Sequence, residues 1–375
     1  MSEIQAYVGL DVHKDTISVA VAEAGREVEV RSWGAIPHET TAINRLVKRL
    51  LKKLGTFECV YEAGPCGYGL QRHLAGLDVA CRIVAPSKVP VQPGRKRNKN
   101  DTNDALGLAR LHRAGELTYI WIPDAVHEAM QDLVRARRTS SYQVRKARQR
   151  ISCFLLKHGR RYERKKWGYR HRVWLADLQF EHAAQQFALQ SYLNDEEQSA
   201  ARRAQIDEQI EGLIPDWRLG PIVRELTALR GVDTVIATSV AAEVGDFSRF
   251  DNPRRLMSYF GLVPGEFSSG THVRPRGITK AGSSDVRALL FQAAWLYRLT
   301  PKVGQWSLIR QKALSQQSKD IAWKAQLRLH SRYRRLTETR QKRSQVAVTA
   351  VARELVGFIW AIARNAETVT LSDSA

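Results

Sequence analysis

The chain is poor in cysteine, in acid relative to base, and in unbroken apolar sequence. Its four cysteines, Cys59, Cys66, Cys81 and Cys153, form no C-x-x-C pair, so neither a zinc site nor a disulfide framework is indicated. Cys59 and Cys81 lie in apolar, strand-like runs and read as small core residues. There is no G-x-G-x-x-G loop. That removes the phosphate cradle a sugar kinase or actin-like ATPase would need after a strand–Asp–turn such as "GLDVHKDTISVAV". The N-terminus lacks a signal-peptide pattern, and neither end carries a lipidation motif. The best membrane-span candidate, residues 346–363, is broken by Arg353 and Glu354. These absences predict a cytoplasmic globular protein with no membrane partner.

What is abundant is positive charge. Lys and Arg number 59 against 38 Asp and Glu, a formal net charge of +21 on 375 residues. Such an excess on a chain of ordinary apolar content predicts a polyanionic partner, most often nucleic acid. The length allows two or three domains, each with its own core.

Residues 6–23 alternate and are rich in Val and Ile, and read as strand, turn, strand; residues 27–36 read as a third strand. Residues 40–55 place Ile43, Leu46, Val47, Leu50, Leu51 and Leu54 on one helix face and stop at Gly55. A strand at 57–63, a helix at 69–75, a strand at 78–85 and a helix at 101–114 follow. This order predicts an α/β sheet with three leading antiparallel strands. Residues 126–213 read as helical throughout. A second half begins near Pro221, where "ELTALRGVDTVIATSVAAEVGDFSRF" reads as a helix, a tight turn at Gly231 and a helix. That pattern fits a helix-hairpin-helix unit whose turn amides hold a phosphate, and equally an ordinary helical hairpin. The expected domains are 1–125, 126–218 and 219–375.

"RKRNKNDTNDALGLAR" sets Asp101 and Asp104 three residues apart on a helix, directly behind Arg95, Lys96, Arg97 and Lys99. Like charges at that spacing repel unless a helix N-terminus, nearby cations or a metal ion offsets them. Asp11 lies in the first strand and Glu62 ends the fourth. In an RNase H-like sheet those strands are neighbours and the 101–114 helix crosses them, so four carboxylates converge. Such a cluster needs a counter-cation, and an all-oxygen ligand set suits Mg²⁺ or Mn²⁺. Two such ions about 4 Å apart clamp a phosphodiester, with the basic loop bringing in its backbone.

Residues 135–172 hold fifteen Lys or Arg and a single acid, Glu163. Arg135, Arg137, Arg138, Arg145, Lys146 and Arg148 open this stripe, and Tyr142, Tyr162, Trp167 and Tyr169 are interleaved. A one-sign stripe predicts phosphate contact. Residues 205–213 end a long amphipathic helix suited to pairing with another chain. Residues 260–290 are Gly- and Ser-rich and basic, with a helix capped by Ser284.

Together "GLDVHKDTISVAV", "YEAGPCGYGL", "KNDTNDALGLARL", "LRGVDTVIATSVAAEVGDFSRF" and "YFGLVPGEFSSGTHVRPRGITKAGSSDVRALL" resemble the DEDD transposases of bacterial insertion sequences, the IS110 and IS1111 group. The resemblance covers most of the chain but not residues 156–213. It implies a RuvC-like (RNase H-like) N-terminal domain with Asp11, Glu62, Asp101 and Asp104 as metal ligands. It implies a helical, coiled-coil middle segment and a mostly helical C-terminal transposase domain. There Ser269, or its neighbour Ser268, attacks a DNA phosphodiester to give a covalent phosphoserine, with Arg274, Arg276 and Lys280 beside it. It further implies a structured guide RNA that pairs with donor and target DNA, and assembly into dimers and tetramers. Two other readings remain open on the residues alone. One is a RuvC-like structure-specific nuclease using metal-activated water. The other is a nucleic-acid-binding protein without catalysis.

Overall fold

A computed structural model describes residues 4–25, 28–90, 100–269 and 272–372. For residues 267–269, 272–275 and 368–372, and for Trp306, the backbone alone is described. The chain divides into two compact units, Met1–Ile122 and Pro123–Ala375.

The first unit is a five-stranded sheet covered on both faces. Its elements are β1 (Ala6–Val12), β2 (Thr16–Glu23), β3 (Arg31–Pro37), α1 (Thr40–Leu54), β4 (Phe57–Glu62), α2 (Gly69–Ala75), β5 (Ala80–Val84) and α3 (Asp101–Arg113). The strand order is β3-β2-β1-β4-β5. The first three strands pair antiparallel, and β4 and β5 join parallel beyond β1. The expected neighbours, first strand and fourth, are therefore adjacent. Period-2 alternation sorts the side chains between the two faces. Val8, Leu10, Ile17, Val19, Cys59, Tyr61 and Ile83 pack with the apolar stripe of α1 and with Leu70 and Leu74 of α2. Of the predicted α1 stripe, Leu51 stays exposed. Ala20 and Ala22 meet Ala105 and Ala109 of α3 on the opposite face, and Val60 and Val84 meet Leu108 and Leu111 there.

On that second face small residues decide how close α3 can come. Gly9 faces it directly. A Cβ at Gly9 would collide with the Ala105 carbonyl oxygen and the Ala109 backbone nitrogen. At its other end α3 is held by a buried polar group. The Tyr119 hydroxyl lies 2.8 Å from His112 Nδ1, and Arg82 Nε donates to Glu58 at 2.7 Å.

The second unit is helical apart from one hairpin. Its elements are α4 (Ala125–Lys157), α5 (Tyr169–Ala176), α6 (Ala183–Leu213), α7 (Gly220–Leu226), α8 (Thr234–Val244), α9 (Pro253–Tyr259), β6 (Pro264–Ser269), β7 (His272–Ile278), α10 (Ser284–Trp295), α11 (Gln305–Gln311), α12 (Gln316–Arg334) and α13 (Ser344–Ser372). The stretch Ser344–Glu367 is long and apolar enough to cross a membrane by composition. Here it is the central core helix: Val351, Ala352, Leu355, Val356, Ile359 and Ile362 are buried, and α7, α9, α10 and α12 pack around it. The start of α4 belongs to this core, since His127 Nε2 and Gln131 Nε2 both donate to the Ala242 carbonyl at 2.8 Å.

Two expectations are corrected, and the long middle helix finds a partner within its own chain. The stretch 126–213 is not helical throughout: residues 158–168 and 177–182 are connections. The long helix ending at Leu213 packs antiparallel on α4 of its own chain, with Ser140 donating to the Ser199 carbonyl and Arg137 pairing with Asp207. The cap of α10 is Ser283, whose hydroxyl accepts from Val286 N; Ser284 is the first helical residue.

Two outcomes follow from the packing of α3. Replacing Gly9 by Ala overpacks the α3–β1 contact and lowers urea stability by roughly 1–3 kcal/mol. His112, almost fully buried, has its pKa pushed down to about 4, chiefly by burial, with Glu58 opposing. An unfolded histidine titrates near 6.5, so this contribution is complete above that pH and is lost as the pH falls towards about 4. Amide-exchange stability of β4 and α3 should fall by about 2 kcal/mol between pH 7.5 and 5, and His112→Gln should flatten that fall.

Candidate metal centre and nucleic-acid face

The register of β1 and β4 sets Leu10 beside Tyr61. The residues that follow, Asp11 and Glu62, lie at the same end of the sheet, in the alternation phase of Gly9 and Val60, which meet α3. Helix α3 begins there. Asn100 caps it, accepting from Asn103 N at 2.8 Å, and places Asp101 and Asp104 in the first turn. The positive helix N-terminus is one of the offsets their mutual repulsion needs.

His13, on the turn after β1, joins the carboxylates. Its Nε2 lies 3.1 Å from Asp11 Oδ2 and 3.6 Å from Asp101 Oδ1. His38 Nδ1 donates to the His13 backbone carbonyl at 2.7 Å, which steadies that turn. One ligand atom from each of Asp11, His13 and Asp101 lies within 4.8 Å of the others, a spacing that fits a single divalent ion. Asp11 has its pKa raised, first by burial; His13 opposes the shift, and the charges of Asp104 and Asp101 reinforce it. Asp11, Asp101 and Asp104 thus feel one another. Glu62 is half-buried on the neighbouring strand. The oxygen-rich donor set and the charges of Asp101 and Asp104 beside Asp11 both suit a hard cation. Sequence reasoning missed His13. The signal was its place two residues after Asp11, which a lone histidine beside a strand does not announce.

The basic residues separate by their partners. Arg95, Lys96, Arg97 and Lys99 lie outside the described residues. Arg135 pairs with Asp132, Arg137 with Asp207, and Arg138 with Asp285. Arg148 pairs with Glu196, which is buried and also meets Arg172. Arg145 and Lys146 lie over the ring of Tyr142. Part of the stripe that looked unanswered in sequence is therefore answered by acids of α6: Asp207 for Arg137, Asp195 for Arg150, and Glu196 for Arg148 and Arg172. Arg135, Arg138, Arg145 and Arg203 also line a groove of about 860 Å³ with Glu243 and Asp285. Burial raises the Glu243 pKa, and Arg135 works against that rise.

Gly231 has a positive φ of 80°, and a Cβ there would press on Ala293 of α10. Close packing alone thus explains the glycine. The Gly- and Ser-rich segment forms an antiparallel hairpin, with Ser268 opposite Val273 and Ser269 opposite His272. Ser269 ends its first strand. The side chains of Ser269 and Arg274 lie outside the described residues. Arg276 and Lys280 are exposed on the return strand and the turn after it. Arg287 was also missed. Its buried Nη1 donates to the carbonyls of Phe260 and Gly282 at 3.2 and 3.1 Å, and to that of Ala281. One guanidinium thereby ties together the chain entering and leaving the hairpin.

An acidic cluster where β1 meets the first turn of a crossing helix has the donor set that metal-dependent phosphodiester chemistry uses. Sequence comparison makes this specific. Residues 8–159 match a transposase family model of the DEDD, IS110 type. Residues 223–305 match the model described as "Transposase IS116/IS110/IS902 family". A putative transposase, y4qE, of Sinorhizobium fredii (strain NBRC 101917 / NGR234) is 47% identical over 98% of this chain and 90% of its own length. The transposase for insertion sequence element IS1533 of Leptospira borgpetersenii is 29% identical over 90% of this chain and 98% of its own. A probable family 20 transposase of Pseudomonas aeruginosa is 26% identical over 76% of this chain and 82% of its own. The chain belongs to the IS110 family of DEDD insertion-sequence transposases. It is a DNA transposase, and its family implies dependence on a divalent metal.

The crowding at Asp11 yields a test that needs no activity. Without metal, Asp11→Asn should raise stability by roughly 0.5–1 kcal/mol, because it removes a half-buried charge from a like-charged neighbourhood. Added Mg²⁺ or Mn²⁺ should raise the melting temperature of the wild type and leave Asp11→Asn unmoved. Differential scanning calorimetry measures both.

Proposed function

We propose that this chain cuts and rejoins DNA at the ends of an insertion sequence through a covalent phosphoserine. In this reading residues 1–125 are a RuvC-like domain, 126–218 a basic helical and oligomerisation segment, and 219–375 the domain that carries the nucleophile. Asp11, Glu62, Asp101 and Asp104 hold Mg²⁺ or Mn²⁺, with His13 orienting Asp11 and Asp101. When bound, the metal neutralises charge on the phosphodiester and on the oxygens that attack and leave. The observation that carries the reading is the meeting of Asp11, His13 and Asp101 at the start of α3, in a chain of this family.

Ser269 supplies the attacking Oγ. Its bond to phosphorus forms as the bond to the 3′-oxygen breaks. The serine proton passes to solvent, and the leaving oxygen becomes a 3′-hydroxyl. The 3′-hydroxyl of the exchanging strand then attacks the phosphoserine, restores Ser269 and closes the DNA backbone. The place of Ser269 at the end of a hairpin whose base is fixed by Arg287 supports this role. Arg95, Lys96, Arg97 and Lys99 guide the DNA backbone towards the carboxylates, and Arg274, Arg276 and Lys280 towards the serine. The cations of α4 and the Gly231 turn are further contacts. A structured RNA encoded by the element supplies sequence choice by base pairing. The protein acts as a dimer or tetramer in which the acidic domain of one copy serves the serine of another.

The test is a denaturation-resistant adduct. Labelled element-junction DNA is incubated with Mg²⁺ and wild type, Ser269→Ala or Asp104→Ala. An adduct in the wild type alone is expected. Cleavage with no adduct, unchanged by Ser269→Ala, would mean a RuvC-like nuclease that uses water and would overturn the covalent route.

A further inference from the structure

At the far end of the α4–α6 pair the chain builds a small core of its own. Ile151 and Leu155 of α4, Leu175 of α5 and Leu189 of α6 are buried together, with Phe154, Trp167, Trp174 and Phe180 packed around them. Beside this core is a cavity of about 340 Å³, lined by Tyr162, His171, Trp174, Arg160, Arg161 and Lys166 among others. Most of this tip falls between the two stretches that match the family models, 8–159 and 223–305.

Two observations point to a ligand here. The first is aromatic. The Tyr162 ring lies 4.8 Å from His171 and 5.2 Å from Trp174, and His171 stacks on Trp174 at an interplanar angle of 21°. His171 Nδ1 accepts from Trp167 N, so Nε2 carries the ring proton and is a donor. Burial lowers the His171 pKa, helped by Lys166 and Arg172, which keeps the ring neutral. The cavity wall therefore combines flat π-surface with a neutral polar ring.

The second observation is charge. Along α4, the cations Arg137, Arg148 and Arg150 are matched by acids from α6. At the tip that matching stops. Among the described residues, Arg161, Arg164, Lys165, Lys166 and Arg170 have no carboxylate partner. Glu163 is the only acid lining the cavity. Unmatched positive charge is thus concentrated where the aromatic cavity opens. Tyr169, the first residue of α5, stands 83% exposed.

We propose that this tip is a binding site for an unpaired nucleotide within a single-stranded stretch of nucleic acid. The base enters the cavity against Tyr162 and Trp174, and Arg160, Arg161 and Lys166 hold the flanking phosphates. Stacking accepts any base, because every base has a π-face, while the cations follow the backbone. A duplex keeps its bases stacked inside and can use only the cations. The site therefore prefers single strands. This deepens the nucleic-acid reading above and stands apart from the chemistry assigned to Ser269.

The test uses the full chain and fluorescence anisotropy at 150 mM salt. The probes are unstructured 12-mers of RNA and of DNA with the same sequence, a duplex of that sequence, and a 12-mer with a central abasic site. Arg160→Ala/Arg161→Ala/Lys166→Ala alters exposed side chains only and keeps the fold testable. It should weaken single-strand binding at least tenfold and flatten the salt dependence. Tyr162→Leu should weaken it about fivefold with the salt slope unchanged, and should erase the difference between intact and abasic probes. Ser269→Ala should bind like the wild type, so failure of the phosphoserine reading would leave this result intact. A stronger response to RNA or to DNA would name the natural source. Equal losses for duplex and single strand, with Tyr162→Leu and the abasic probe without effect, would reduce the tip to a general polyanion patch and overturn the proposal.

Discussion

A helix can lie backbone against backbone on a strand only where no side chain stands between them. Gly9 is that place in this protein, and the acidic centre depends on it. Helix α3 rests on β1 at Gly9, with Ala20, Ala22, Ala105 and Ala109 keeping the rest of the contact thin. The first turn of α3 therefore stays close to the end of β1, and Asp101 and Asp104 come near Asp11. Beyond their contact with His13 the carboxylates gain nothing from that approach in the absence of a cation; their repulsion works against the apolar contact that creates it. The centre is held together by packing elsewhere on the same helix, at Leu108 and Leu111 and at the His112–Tyr119 bond. Such an arrangement places strain from function where structure can absorb it.

A comparable division runs along the α4–α6 pair. Its lower part is cross-linked by charge, with Glu196 taken out of solvent and satisfied by two arginines from different helices. A buried carboxylate is tolerable only when it is well partnered, so this contact fixes the register of the two helices more than it adds stability. Beyond that contact the cations are left without acids. The same residue type thus has two uses on one helical arm, set apart by what lies across from each.

Much of the first unit was legible from local pattern. Short alternating strands and one amphipathic helix leave few topologies, and once β1 and β4 are neighbours, Asp11 and Glu62 must emerge together. His13 was not legible, because its position matters only after the turn beyond β1 has been folded towards α3. The basic stretch misled for the opposite reason: residues 135–172 hold a single acid, Glu163, whereas Asp195, Glu196 and Asp207 approach from a helix that reverses direction. The hairpin at Pro264–Ile278 was masked by its Gly- and Ser-rich composition, which reads as loop although its backbone pairs strand to strand. Arg287 gave no signal at all, since a buried guanidinium bound to carbonyls resembles any other helical arginine until the fold exists.

The position of α13 carries a consequence for the order of events during synthesis. The first unit is built from neighbours in sequence and can close as soon as it leaves the ribosome. The second cannot, because α7, α9 and α10 bury their apolar faces on a helix that begins at Ser344. Until that helix arrives, the sheet unit is complete while the hairpin segment has no finished core beneath it. A nascent or shortened chain lacking α13 would thus carry the acidic centre in a closed sheet unit while the hairpin segment still lacked its core.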